Sequence, residues 1–318
     1  MAITLADAQK LSSSKLAHIV IDEFRNDPLF DMMLFDNSAK LQGGSSLSYV
    51  YNRVTTQPTA AFRKIGEDYT SQEALTTQYT VTLKPFGGSF NVDRVLQANE
   101  KEFIDLVRFE IAQKVKATRA LFTDTFINGD ASVDESAFDG ISSAVTGSST
   151  EIVPTSSIDL STSDKITENA VLFMDLLDSM LAELDGSPSA ILVNKKLASV
   201  INGIARRSGF FSSDDADAFG HPVTKYAGIP IIALGDKPGN ISPIIDVSAD
   251  AGETSLYAVR IGLDGVHAVS PEGNAVINTY LPDITTPGAV KCGEVEMVSA
   301  MALKSTRAIG ALRNIKVA

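Results

Sequence analysis

The sequence predicts an α+β protein built in two units. Three observations predict it: two alternating strands joined by a long polar stretch, a long amphipathic helix soon after them, and a later succession of helical and strand patterns. The elements follow in chain order.

Residues 4–24 carry helical spacing through Leu5, Leu11, Leu16, Ile19 and Val20, and an apolar cluster follows Pro28. This reads as an arm with a docking helix over residues 1–42. Residues 47–54 and 79–84 then alternate, enriched in β-branched and aromatic side chains, and read as antiparallel partners. Setting Gly44 against Gly87 places Leu47 opposite Lys84 and gathers Gly43, Gly44, Gly87 and Gly88 at the foot of the pair. Glycine there adds backbone freedom, so residues 43–88 are expected to form a projecting hairpin hinged at those four glycines. Its tip is longer than the roughly 12 to 15 residues usual for a plain loop. It sets Ala61, Phe62, Ile65 and Tyr69 among Arg63, Lys64 and Glu67, and these seven are the expected assembly contacts.

Asn99 with Glu102 three positions later forms the pattern of a capping box. Phe103, Val107, Ile111, Val115, Phe122 and Phe126 then recur at intervals of four or seven until Asn128 and Gly129 supply the stop. The expected helix spans roughly 40 Å and braces a unit over residues 89–150. Residues 131–162, rich in Ser, Thr, Gly and Ala, mark the crossing to a second unit over 151–284. There Ser163 is expected to cap a helix through Phe173, Leu177 and Met180. A strand at Ala190, Ile191, Leu192 and Val193 follows, and Asn194 caps the next helix. Residues 229–234, 256–261 and 266–269 read as further strands. The alternation near the end returns the chain to the first unit over about 285–304 and closes the second over 305–318.

Composition limits the function. Hydrophobic content of 44% and charged content of 21% in 318 residues fit a globular protein with a sizeable core. A net charge of −12 opposes tight binding of nucleic acid by the whole surface, leaving at most weak, local contact with DNA. Lys304, Arg307, Arg313 and Lys316 form a basic run near the end without acidic neighbours. The single cysteine, Cys292, excludes an internal disulfide and reads as a buried, inert thiol. No secretory signal pattern opens the chain, and no stretch approaches about 18 consecutive apolar residues, so no membrane partner is expected.

Enzyme signatures are missing: there is no G-x-S-x-G elbow, Walker A loop, dinucleotide fingerprint or H-E-x-x-H. His18, His221 and His267 share no carboxylate-rich motif. Asp214, Asp215 and Asp217 beside His221 would serve an α/β enzyme, but the run fits a solvated loop and lacks the calcium-loop pattern. The reading is a non-enzyme without cofactor or metal.

The order of these parts, with the tip Ala61, Phe62, Arg63, Lys64, Ile65, Gly66, Glu67 and the helix end Phe126, Ile127, Asn128, Gly129, Asp130, resembles the major capsid proteins of tailed bacteriophages, the Hong Kong 97 fold family. The resemblance covers nearly the whole chain. It implies an N-terminal arm, an extended hairpin loop, a peripheral domain with a spine helix and an axial domain. It further implies self-assembly as pentamers and hexamers into an icosahedral head around double-stranded DNA, formed in the host cytoplasm and kept as the virion capsid. The hairpin would lie over a neighbouring subunit and pivot as the shell expands. A separate scaffolding protein is implied because the chain starts at Met1 close to the arm; a portal and a decoration protein are further partners of such shells. Some relatives crosslink through a lysine in the tip, where Lys64 stands, but no acid catalyst or asparagine acceptor motif accompanies it. An encapsulin-type bacterial compartment is the alternative within the fold.

Overall fold

The computed structural model describes residues 28–36, 47–95, 106–208, 225–239, 242–271, 276–283 and 285–318. The expected docking helix, Gly43 and Gly44, the Asn99 capping box and the Asp214 to His221 run lie outside these. The described chain begins with a short helix α1 (Pro28–Met32) and strand β1 (Phe35–Asp36), then β2 (Ser48–Thr56), β3 (Leu75–Thr82) and β4 (Lys84–Asp93). The long helix α2 (Leu106–Asn128) and the short α3 (Ile141–Val145) follow, with β5 (Glu151–Ile152) and β6 (Ile158–Asp159). Next come α4 (Ser163–Ala182), β7 (Ala190–Val193), α5 (Lys195–Ser208), β8 (Lys225–Tyr226), β9 (Ile229–Ala233) and β10 (Glu253–Val259). Strands β11 (Val266–Val269), β12 (Ile277–Tyr280), β13 (Val290–Leu303) and β14 (Ile309–Lys316) complete the order.

Three sheets organise it. The first joins β1, β11, β13 and β12, with β4 also on β13. The second runs β5-β14-β10-β7-β9-β8, with β6 on β14. The third is the hairpin β2-β3 alone. Strand β13 pairs with β4 and β11 in the first sheet, and β14 pairs with β10 in the second.

The long helix α2 is 23 described residues, about 34 Å long. Its C-terminal half carries the apolar anchor. Phe122, Phe126 and Ile127 are fully buried, and the Phe122 ring meets Phe30 edge-on at 5.5 Å and stacks near Phe86 at 6.5 Å. One aromatic side chain therefore pins α1, the helix and β4 together, the kind of contact that contributes beyond area alone. Gly129 ends the helix because nothing larger fits: a Cβ there would stand 2.2 Å from the Phe138 carbonyl oxygen. The Gly140 amide donates to the Gly129 carbonyl at 2.8 Å and closes the loop between them.

In the second sheet β7 is buried on both faces, which is why it reads as an unbroken apolar run. Ala190 and Leu192 join the core shared with the first sheet, while Ile191 and Val193 face the core under α4 and α5. Asn194 caps α5 as expected: its Oδ1 accepts from the Leu197 amide at 2.7 Å, and its Nδ2 donates to Thr254 Oγ1 at 2.6 Å. The cap of α4 sits one residue earlier than expected. Thr162, with extended φ −124° and ψ 161°, accepts from the Lys165 amide, and Ser163 already lies inside the helix. Of two adjacent hydroxyl residues, the one that leaves helical backbone geometry is the cap.

Cys292 is a second correction. It is exposed, because β13 turns Lys291, Gly293, Val295 and Met297 inward and Cys292 and Glu294 outward. The inward Lys291 is buried and donates to the Thr286 carbonyl and to Thr286 Oγ1 at 3.0 Å.

Candidate assembly surface: the hairpin arm and its foot

The hairpin has little intramolecular cover: most of its residues beyond the foot are exposed. Strands β2 and β3 pair in antiparallel register with Ser48 opposite Thr82, Tyr49 opposite Val81 and Tyr51 opposite Tyr79. Leu47 therefore faces Leu83, whose amide donates to the Leu47 carbonyl at 2.7 Å, and not Lys84. The expected register is off by one, and parity gives the reason. In the observed register Tyr49, Tyr51, Tyr79 and Val81 share one face; a slip by one would set that apolar face against Val50 and Thr80 on the other.

Gly87 and Gly88 also sit elsewhere than expected. Leu83, 2% exposed, is where the arm leaves the body, and β4 starts at Lys84. Gly87 and Gly88 lie within β4, opposite Glu296 and Val295 of β13. A Cβ on Gly87 would stand 2.0 Å from the Val295 carbonyl oxygen, so glycine there permits a close approach of two strands. At Gly88 a Cβ would meet only the side chain of Lys114, at 3.4 Å.

One face of the arm's foot is fastened to the body. The Tyr51 hydroxyl donates to the Leu303 carbonyl at 2.8 Å, and Arg53 Nε donates to the Lys304 carbonyl at 3.1 Å while its Nη2 also reaches the Leu303 carbonyl. The Arg53 guanidinium lies 4.2 Å from the Tyr79 ring centre, and Tyr51 stacks on Tyr79 at 5.8 Å. Deeper in, the Tyr49 hydroxyl donates to Asp36 Oδ2 at 3.0 Å and its ring meets the His267 ring edge-on at 5.8 Å. Burial and the Asp36 carboxylate raise the Tyr49 phenol above its ordinary range, against the opposing pull of Lys304. Burial, with Lys304 second, holds the fully buried His267 below the ordinary imidazole value, although Asp36 Oδ2 at 3.9 Å pulls the other way. Beside this foot a groove of about 450 Å³ opens between the arm and the body, lined by Tyr51, Arg53, Tyr79, Lys84, Phe138 and Leu303 among others.

Beyond the foot, contact with the body ends. Val54 and Leu75 are 58% and 60% exposed. Every tip residue expected as a contact, Ala61, Phe62, Arg63, Lys64, Ile65, Glu67 and Tyr69, is exposed, and Phe62 and Ile65 are as open as in a free chain. The tip still has local order. The Glu67 amide donates to the Lys64 carbonyl at 3.2 Å around Gly66, whose φ of +95° suits glycine. The Arg63 guanidinium stands 5.2 Å from the Tyr69 ring centre, and Gln72 Oε1 accepts from the Thr59 amide at 2.8 Å. Such a tip presents apolar side chains on a defined frame.

Among the described residues no group of His, Cys, Asp and Glu side chains is arranged to hold a metal ion, and no helix is long and apolar enough to cross a membrane. Of the basic run near the end, Arg313 is committed to Glu151 and to Ser142 and Thr146, tying β14 to β5 and α3.

No family model and no curated protein sequence matches the chain. Solved structures do. The holo-SrpI encapsulin complex from Synechococcus elongatus aligns with a TM-score of 0.64 at 13% identity, over 99% of this chain and 97% of that one. The fold is the Hong Kong 97 capsid fold. The capsid of a native GTA particle gives a TM-score of 0.63 at 14% identity over 98% and 97% of the two chains. Mycobacterium phage Bobi gives 0.60 at 12% identity over 98% and 99%.

Proposed function

We propose that this chain is the major capsid protein of a tailed-phage-type head, assembling with copies of itself as pentamers and hexamers into a closed icosahedral shell around double-stranded DNA. The observation that carries the reading is the tip: Phe62 and Ile65, fully exposed, sit at the end of a two-stranded arm whose foot is fastened by Tyr51 and Arg53. Large apolar side chains gathered at one tip and left in water mark a surface made for a partner. A second copy is the partner that the fold suggests. The role is structural and non-enzymatic, and the seven tip residues named above are its contacts.

The arm would change its angle as the shell grows. Of the two described glycines expected as hinges, both paired with β13, Gly88 is the less confined, since a Cβ there would meet only the flexible Lys114 side chain and one on Gly87 would meet the Val295 carbonyl. A separate scaffolding protein, a portal and a decoration protein complete the assembly, which would take place in the host cytoplasm and end in the virion. The net charge of −12 suits a container whose wall repels the packaged polymer.

The likeness to an encapsulin favours a second reading, a bacterial compartment around protein cargo. Particles purified from a native source separate the two: nuclease-protected DNA supports the phage head, and a co-purifying enzyme without DNA supports the compartment.

A further inference from the structure

The ring of His267 stands at the root of the arm without a hydrogen bond. It is fully buried on β11, and neither Nδ1 nor Nε2 completes a bond to any described residue. A buried polar group left unpaired in this way calls for an explanation. What faces the ring is two acceptors: the Asp36 carboxylate, with Oδ2 3.9 Å from Nε2, and the Gly262 carbonyl. A neutral imidazole carries one N–H and a protonated one carries two, so these surroundings match the charged form better than the neutral one. Burial and the Lys304 ammonium nevertheless keep the ring neutral down to below its ordinary value. Asp36 on β1, Tyr49 on β2 and Lys304 just past β13 are the titratable side chains that face it.

The same side chains hold the arm. The Tyr49 hydroxyl donates to Asp36 Oδ2, the oxygen that stands off Nε2, and the Lys304 ammonium lies 5.7 Å from the Tyr49 ring centre. His267 pairs across the sheet with Ala302, and the next two residues supply the carbonyls that take Tyr51 and Arg53. We propose that His267 is a proton-operated release for the arm: a proton taken from solvent draws the Asp36 carboxylate off the Tyr49 hydroxyl and onto the ring, and repels Lys304, so that β2 and β3 come loose at their root. One proton moves, and no covalent bond to carbon changes. The held arm keeps the ring's affinity for a proton low, whereas the released arm lets the imidazolium pair with Asp36. Acid therefore favours release, in the interval beneath the ordinary imidazole value of 6.5. The release acts within one subunit and needs no second copy, so it holds or fails apart from the shell-forming reading.

Amide exchange of the full chain, corrected for the intrinsic effect of pH on exchange, tests it. From about pH 7.5 to about pH 5 the protection of residues 48–56 and 75–82 should fall at least about fivefold further than that of residues 190–193 and 253–259 in the second sheet, because the paired ring of the released state binds the proton more tightly than an unfolded chain does. His267→Gln takes up no proton and should abolish that extra fall. Asp36→Asn keeps an oxygen for the Tyr49 hydroxyl but cannot draw the imidazolium. It should match the parent's arm protection at the higher pH to within about threefold and lose the extra fall, which covers a His267 variant that fails to fold. Arm strands that lose protection in the parent only in step with the second sheet would overturn the release. So would an extra fall that persists in either folded variant.

Discussion

The Tyr51 hydroxyl on the arm donates to the carbonyl of Leu303, 252 residues away, at 2.8 Å, and Arg53 reaches the same carbonyl and that of Lys304. Strand β13 ends there, so the arm is latched to the strand that also carries β4 and β11.

Arg53→Ala should loosen that latch. It removes two hydrogen bonds to carbonyls and the contact with Tyr79, together about 1–3 kcal/mol of local stability. Amide exchange in residues 48–56 and 75–82 should speed up by about tenfold or more, with little change in the global thermal midpoint. Arg53→Lys should restore little, because one ammonium cannot span two carbonyls as the planar guanidinium does.

Gly87 and Gly88 should behave differently although adjacent. Gly87→Ala drives a Cβ into the Val295 carbonyl and should cost about 1–3 kcal/mol in urea unfolding, lowering folding and assembly together. Gly88→Ala displaces only the flexible Lys114 side chain and should leave folding near parental. If arm movement depends on Gly88, Gly88→Val should lower the yield of expanded particles more than it lowers subunit stability.

The buried His267 makes stability depend on pH. Its imidazole is held below the ordinary value of 6.5, so below that value the unfolded chain binds a proton that the folded chain refuses. Stability therefore falls as pH drops through the interval beneath 6.5. The carboxylates held low by neighbouring hydroxyls and amides, such as Asp130, Asp134 and Asp159, lose their contribution only as pH falls through and below about 3.8. Thermal midpoints between pH 6.5 and 5 should thus decline in the parent and decline less in His267→Gln.

Phe62→Ser with Ile65→Ser should leave the subunit's thermal midpoint within about 1 °C, since both side chains are already in water. Assembly measured by light scattering should fall steeply. A parallel loss of midpoint and assembly would mean that the tip packs within its own subunit.

Local patterns made much of this fold legible. The β7 run, the Asn194 cap and the buried stripe Phe122 and Phe126 are set by spacings of a few residues, and the structure keeps all three. Register was harder. The parity of Tyr49, Tyr51, Tyr79 and Val81 specifies it, yet paired glycines suggested a neighbouring register that would split that face. Cys292 follows the same rule, since alternation with Val295 and Met297 turns it outward. The latch was out of reach: Tyr51 and Arg53 bond to backbone carbonyls, which leave no side-chain signature, at the far end of the chain. The meeting of Asp36, Tyr49 and His267 likewise joins three distant strands, with no local spacing to announce it.

A particle reconstruction from the purified, assembled chain tests the central claim most directly. The account predicts a closed shell in which residues 61–69 of each arm lie on a neighbouring subunit and the Phe62 and Ile65 side chains are covered. A chain that forms no closed particle under any assembly condition, or a shell in which those two side chains remain in solvent, would contradict it.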